Sequence, residues 1–378
     1  MNIIYISRNI PVPSLKENDI ILRIANSIEE LSDINIDVFF PREVFPRMPF
    51  IRNKRVEAIL NLPKKFSSIG REVIPLAYFR LPTLRYSYSL INSFKWLNSS
   101  LLESFSKYKV IHAHNIMPDG KIGMELKKIL NIPLITTIRN GDLDKINKLD
   151  KSSNLYKSYM NVLHLSDKII VHNYATEEFV KNLNLKYIAI PHGMEENLLL
   201  KEEANKENII LFVGNMIPRK NLKMVCNAFK TINNKNWQLL IIGDGKEFDE
   251  VQEQTKNIKN IQMLGRLPRE KVLAYMQKSK VFVLPSDNET FGIVYLEAAA
   301  SKCFIIGKKY TGIYGWLDNE SEACFIENEE ELREIFQKIF ENQIDVQKIA
   351  NQGYKKVNSC LLWEQQINKY IELYRSYS

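Results

Sequence analysis

Short runs of β-branched and apolar residues recur along this chain, and a segment long enough for a helix parts each run from the next. Asn2 to Ile6, Ile36 to Phe40, Lys109 to Ala113, Leu134 to Ile138, Lys168 to Val171 and Tyr187 to Ile190 form one series. Ile209 to Val213, Gln238 to Ile242, Ile261 to Leu264, Val281 to Leu284 and Phe304 to Ile306 form a second. Strands that are apolar on both faces and joined by helices pair as parallel sheets covered on both sides. The fold class is therefore α/β, with two Rossmann-like doubly wound halves, and 378 residues is more than one core usually spans. The polar stretch from Glu195 to Asn208, after Pro191, His192 and Gly193, reads as the linker and a place for hinge motion. Residues 1–194 are then the first domain and 195–355 the second, with 356–378 a C-terminal helix expected to pack back on the first. In open α/β sheets a ligand sits outside the carboxyl ends of the strands, so two facing sheets make a cleft with half a site on each.

Several function classes fall away. Hydrophobic residues at 45% and charged residues at 25% describe an ordinary globular protein. The longest apolar stretches, Lys280 to Leu284 and Cys303 to Ile306, are far short of the roughly 20 residues that cross a bilayer. Met1 to Ile6 carries no basic leader or cleavage site, so a cytoplasmic location is expected. Cys226, Cys303, Cys324 and Cys360 are scattered and read as buried reduced thiols; His112 and His114 share one strand face but lack a third ligand at usable spacing, so no metal is expected.

Charge is uneven. Between Arg42 and Lys109 stand thirteen Lys or Arg against four Glu, about the whole net charge of +8. Phe45, Phe50, Phe66, Tyr78, Phe79, Tyr86, Tyr88, Phe94 and Trp96 are interleaved with them. Such a segment, residues 42–109, can hold a protein at an anionic membrane surface; it is equally a solvated face with aromatics in the core. No nucleic-acid-binding module accompanies the charge, so nucleic acid is not an expected partner.

The second half carries the chemistry. After Ile209 to Val213 come Gly214 at a turn, Pro218, Arg219 and Lys220, then an amphipathic helix from about Leu222. A turn into a helix N-terminus offers N–H groups and a favourable dipole to an anion, and a Lys there adds a full charge. Gly243 and Gly265 end the next two strands in tight turns that allow close backbone approach. The most informative stretch is Pro285 to Ala300, P-S-D-N-E-T-F-G-I-V-Y-L-E-A-A-A. Phe291 and Gly292 can present N–H groups to a diphosphate as a helix starts there. Glu289 can reach sugar hydroxyls, and Glu297 can accept hydrogen bonds from vicinal ribose hydroxyls. Taken singly, each feature also fits an exposed loop cation, a common glycine turn or a carboxylate near a helix N-terminus.

Gly214 with Lys220, Gly243, Gly265-Arg266, Pro285-Ser286, Glu289, Phe291-Gly292, Glu297 and Ala298, in that order, resemble the second domain of the family 4 retaining glycosyltransferases of GT-B fold, glycosyl transferases group 1. His112-Ala113-His114 with Pro118 and Gly120, Asn131-Ile132-Pro133, Gly141-Asp142 and Pro191-His192-Gly193 resemble its first domain. The resemblance implies Lys220 on the donor diphosphate, Glu297 on the ribose, Glu289 on the transferred sugar, and backbone contacts from Phe291 and Gly292. It implies His114 and Asp142 on the first-domain side of the cleft, and the loop from Asn9 to Lys16 facing a lipid-linked or oligosaccharide acceptor. The donor would be a nucleotide diphosphate sugar, UDP- or GDP-linked, and the product a bacterial surface polysaccharide. Three positions depart from the family. Asn215 stands where Arg is common, so one phosphate cation is missing unless Arg219 substitutes. Arg139-Asn140 precede Gly141-Asp142 where His-Gly is common, and Ser301-Lys302 replace a usual Gly. A nucleotide-sugar epimerase and a sugar-nucleotide-binding scaffold that has lost turnover are the rival readings.

Overall fold

The computed structural model describes residues 1–13, 19–44, 57–59, 61–63, 65–79, 105–200, 205–232 and 234–377. Part of the expected acceptor loop (14–16), part of the linker (201–204) and most of the basic segment, with Phe45, Phe50, Tyr86, Tyr88, Phe94 and Trp96, lie outside them.

The chain forms two compact units. The first comprises residues 1–171, 176–190 and 367–378; the second comprises 172–175 and 191–366. In the first, β1 (Asn2–Ile6), β2 (Asn35–Val44), β3 (Phe66–Ser68), β4 (Arg71–Phe79), β5 (Tyr108–Ala113), β6 (Leu134–Thr137), β7 (Lys168–Val171) and β8 (Tyr187–Ala189) make one sheet in the order β3-β4-β2-β1-β5-β6-β7-β8. All neighbours are parallel except β3 with β4. In β1, Ile3, Ile4, Tyr5 and Ile6 are all buried, as a central strand covered on both faces requires. The second sheet, β9 (Glu207–Val213), β10 (Gln238–Ile242), β11 (Ile261–Gly265), β12 (Ser279–Val283), β13 (Phe304–Lys308) and β14 (Cys324–Ile326), runs β11-β10-β9-β12-β13-β14 and is parallel throughout.

Helical spacing fixes the covering layer. In the helix Leu222–Ile232, Leu222, Val225, Cys226 and Phe229 are buried one turn apart. Phe229 meets Phe336 and Phe340 of the helix Glu329–Phe340 edge-on, at 6.4 and 5.9 Å between ring centroids. That second helix is capped by Asn328, whose side chain accepts from the Glu331 N–H at 3.0 Å, with Glu329, Glu330 and Glu331 in its first turn.

The expected domain limits shift at both ends. The units divide at Ile190/Pro191 because Met194 is bonded to the second unit: its N–H donates to Leu361 O at 3.0 Å and its carbonyl accepts from Trp363 N at 2.7 Å. A Cβ on Gly193 would lie 2.5 Å from Trp363 Cα, so this crossing of two backbones needs glycine. Residues 172–175 also count with the second unit, where His172 stacks on His192 at 4.8 Å and accepts from Trp316 Nε1 at 2.9 Å. The tail is not one helix from 356: Val346–Cys360 and Trp363–Arg375 are separate, and only residues from Ile367 on belong to the first unit. There Tyr374 Oη bonds to both Tyr5 Oη and His112 Nδ1 at 2.6 Å.

One open reading is decided in part and one expectation changes. Phe66 and Tyr78 of the basic segment are core residues: Phe66 meets Phe40 edge-on, and Tyr78 Oη donates to Glu43 at 3.0 Å. Cys226, Cys303 and Cys324 are buried, but Cys360 is exposed. Among the described residues no helix is long and apolar enough to cross a membrane.

Candidate functional site

In the second sheet the strand order reverses between β9 and β12, so the loops after these two strands diverge and leave room for a ligand at their carboxyl ends. The loop after β9 ends in a single tight turn, Pro218–Lys220, and Asn221 in the left-handed region at φ 53° redirects the chain into the helix Leu222–Ile232. Asn221 Nδ2 donates to Pro285 O at 2.8 Å and to Asp287 Oδ2 at 3.0 Å, and the Asp287 N–H donates to Arg219 O at 2.7 Å. The two loops are thus sewn together, and that brings together charges far apart in sequence. Lys220, 8% exposed, is ion-paired with Glu289 Oε2, which also accepts from Ser286 Oγ at 3.2 Å and lies 3.6 Å from Arg219 Nη1. Lys308, at the end of β13, is ion-paired with Asp287.

Glu289 is held by its backbone: its N–H donates to Thr311 Oγ1 at 2.6 Å, and its carbonyl accepts from Gly312 N at 2.9 Å. The helix begins at Ile293, slightly later than expected, with Gly292 at φ 77° as its N-cap. A Cβ on Gly292 would lie 2.6 Å from the Tyr295 ring. Phe291 is buried, its ring edge-on to His192 at 5.4 Å, so only its backbone is available to a ligand. Glu297 is half-buried rather than a solvated surface residue; Arg269 Nε and Nη2 converge on its Oε1 at 2.9 and 2.6 Å. Gly214 donates its N–H to Ile242 O at 3.0 Å, and the space beside Gly243 is filled by the Gly214 carbonyl. Gly265, at φ 67°, has nothing within 4 Å of an added Cβ. Sequence reading missed Arg269 and Lys308, whose only available signal was their place beside the ends of strands β11 and β13.

The first sheet reverses between β1 and β5. His114 and Asp142, expected to line this side of a site, are 1% and 2% exposed. The His114 ring lies 4.0 Å from that of His112 between centroids, tilted by 31°, and its carbonyl accepts from Arg139 Nε at 3.0 Å. Asp142 accepts from Ile116 N at 3.3 Å and Arg139 N at 3.4 Å. Both are packed into the floor, whereas Asn9 is exposed and Arg8, ion-paired with Glu43 at 2.8 Å, is half-buried. These are placed by Asp119, a residue the sequence reading passed over: it accepts from Arg8 N at 3.1 Å and Asn115 Nδ2 at 2.7 Å, and Asn115 Oδ1 accepts from Asn9 Nδ2 at 3.1 Å.

Burial, with help from the Asp142 charge, pushes the Asp119 carboxyl up to about 7, and burial pushes Asp142 up to about 6. Both raised values mean that the folded state holds these protons longer than the unfolded one. Their stabilisation is complete below about pH 4 and is lost as pH rises through 6 to 7. Burial lowers His112 to about 3, which acts in the opposite sense, but only up to its unfolded value near 6.5. The interval from pH 6.5 to 8 therefore isolates Asp119. Hydrogen exchange of the β1 and β5 amides should report a loss on the order of 1 kcal/mol across it, absent in Asp119→Asn. An equal slope in both proteins would mean that Asp119 ionises normally.

Two parallel-sheet units of this construction define the GT-B fold, and the paired cation and carboxylate at the second switch point suit a sugar donor that carries phosphate. Residues 195–356 match the sequence family described as glycosyl transferases group 1. An uncharacterised glycosyltransferase of Methanocaldococcus jannaschii is 28% identical over 76% of this chain and 81% of its own. Sucrose-phosphate synthase of Thermosynechococcus elongatus superposes with a TM-score of 0.68 at 18% identity, over 99% of this chain and 98% of its own. HepE of Anabaena, solved with UDP and with UDP-glucose, covers all of both chains at 14% identity, with a TM-score of 0.70 in the UDP complex. Residues 195–356 thus match the group 1 glycosyltransferases, and the chain is similar along most of its length to proteins of that class.

Proposed function

We propose that this glycosyltransferase moves a sugar, with retention of anomeric configuration, from a UDP- or GDP-linked donor to a membrane-associated or glycan acceptor in the assembly of a bacterial surface polysaccharide. One observation carries the reading. Lys220 and Glu289, 69 residues apart, meet at the second switch point with Arg219 3.6 Å from the same carboxylate oxygen. Donor binding exchanges partners there: the diphosphate takes Lys220 and Arg219, and Glu289 turns to hydroxyls of the sugar. In transfer, an acceptor hydroxyl oxygen bonds to the anomeric carbon on the face from which the diphosphate leaves. The bond from that carbon to the phosphate oxygen breaks, and the departing phosphate takes the acceptor's proton. No protein base is needed; Lys220, Arg219 and the N–H groups of Phe291 and Gly292 stabilise the charge that develops. Because side chains supply these cations, transfer proceeds without a metal.

Glu297 holds the ribose. Arg269 occupies its Oε1 and fixes the carboxylate's orientation, which presents Oε2 to a ribose hydroxyl. HepE's complexes with UDP and UDP-glucose make the uridine nucleotide the first to try. Calorimetry with UDP, GDP and ADP in the presence of a chelator is expected to select one nucleotide and to show it weakened about tenfold or more in Glu297→Ala, the worth of one hydrogen bond to a charged group. Failure of all three to bind would sink the donor site and favour a scaffold that has lost its nucleotide. The anomeric configuration of the product, read by NMR coupling constants, tests retention separately.

A further inference from the structure

The loop after β13 carries a bulky ring in a conformation such rings avoid. Tyr310 sits at φ 64°, in the left-handed region, where a side chain other than Gly, Asn or Asp is strained. It is also 51% exposed, and it does not stand alone. Tyr174 lies 5.6 Å and Tyr314 5.2 Å from it between ring centroids, and those two are 5.2 Å apart and nearly perpendicular, at 85°. Tyr314 is backed by Phe325 at 5.1 Å, which anchors the group to the core of the second unit. The same loop is tied to the donor side of the site: Thr311 and Gly312, the next two residues, bond the backbone of Glu289 on both sides. A Cβ on Gly312 would lie 3.6 Å from Glu289 Cβ, so the loop is seated directly against that residue.

Strain is tolerated where the surroundings over-determine it, and it clusters at ligand clamps. We infer that Tyr310, with Tyr174 and Tyr314, forms an aromatic rest for a pyranose ring of the acceptor. A pyranose has an apolar face of axial C–H bonds and a rim of hydroxyls, which matches flat rings edged by phenol hydroxyls. A lipid chain would instead need an enclosed apolar channel. The rest lies on the loop that positions Glu289, so an acceptor sugar held there is next to the residue assigned to the donor sugar. This assignment builds on the donor reading given above and adds to it a site for the saccharide part of the acceptor.

Saturation-transfer NMR on the full chain, with UDP present, against a panel of methyl pyranosides and disaccharides tests this. The wild type and Tyr310→Phe are expected to transfer saturation most strongly to axial C–H protons of a bound pyranose. Tyr310→Asn removes the ring but suits the left-handed backbone, so it is expected to bind the saccharide about tenfold more weakly, to bind UDP unchanged and to melt no lower than wild type. Transfer undiminished in Tyr310→Asn, or no saccharide bound by the wild type, overturns the inference. So does a lower melting temperature in that variant, which would make the rings a structural cluster, or a joint loss of UDP affinity, which would make Tyr310 a donor contact. If the wild type fails to bind any nucleotide, the donor reading fails; a saccharide signal that depends on Tyr310 would then still support the rest.

Discussion

Lys220→Ala is expected to lower turnover by on the order of 10²–10³-fold, the usual effect of removing one preorganised group from where charge develops. Lys220 is 8% exposed, so its ammonium occupies a largely desolvated position where its field is weakly screened. Arg219 is a poor replacement: it lies 3.6 Å from the shared carboxylate oxygen and its side chain is 46% exposed. The substitution also deprives Glu289 of its close partner, so the carboxylate swings toward Arg219 and out of register with the sugar. Steady-state kinetics with the donor varied, beside calorimetry of the nucleotide, separates the effects: turnover should fall much more than affinity for the nucleotide. Near-normal transfer with unchanged donor affinity would remove Lys220 from the mechanism. Lys220→Arg keeps the charge but not the compact ammonium that fits beside Ser286 and Glu289, and is expected to recover part of the rate.

Why the sequence was so informative about the sheets and less so about the site follows from the range of the forces. β1, β5, β9 and β12 are apolar on both faces, a pattern set by burial alone and visible within a few residues. The hairpin of β3 and β4 escaped because Arg71, Glu72 and Pro75 break that pattern. Pro75 is tolerated because β4 has only the three-residue β3 on its outer side. The three-residue β14, at the edge of the second sheet, was not read from the sequence. Glu289, Gly292 and Glu297 stand out in the sequence because they occur in fixed order around one strand and helix, and Lys220 because it follows Gly214 in the turn between another strand and helix. Their partners do not. Arg269 reaches Glu297 across 28 residues and Lys308 reaches Asp287 across 21, and neither cation has a local signature. In the first unit, His114 and Asp142 were named by resemblance, but their burial could not be foreseen, since the packing that covers them comes from Tyr5, Ile116 and Arg139. Aromatic residues in a basic stretch were equally ambiguous: Phe66 and Tyr78 are core because they fall on strands, which charge alone does not reveal.

Glycines at three strand ends look alike in the sequence and should respond differently to substitution. Gly243→Ala is expected to destabilise the second unit by at least about 3 kcal/mol, since overpacking against backbone has no flexible neighbour to relieve it. An added Cβ would lie 1.9 Å from the Gly214 carbonyl oxygen, and φ is 146°, where an L-residue is strained. The Gly243 N–H meanwhile donates to Gly265 O at 2.9 Å, and Gly214 N to Ile242 O at 3.0 Å, so the loops after β9, β10 and β11 are locked in mutual contact. Moving one to admit a methyl group disturbs the turn that carries Lys220. Gly265→Ala is the control: φ is 67°, but nothing lies within 4 Å of the new Cβ, so only backbone strain of about 1 kcal/mol is expected. Urea unfolding of the two variants should therefore differ by about 2 kcal/mol or more, and nucleotide binding should weaken in the first and persist in the second. Equal losses would mean that the positive φ alone explains these glycines, and that the loops can part without cost to the site.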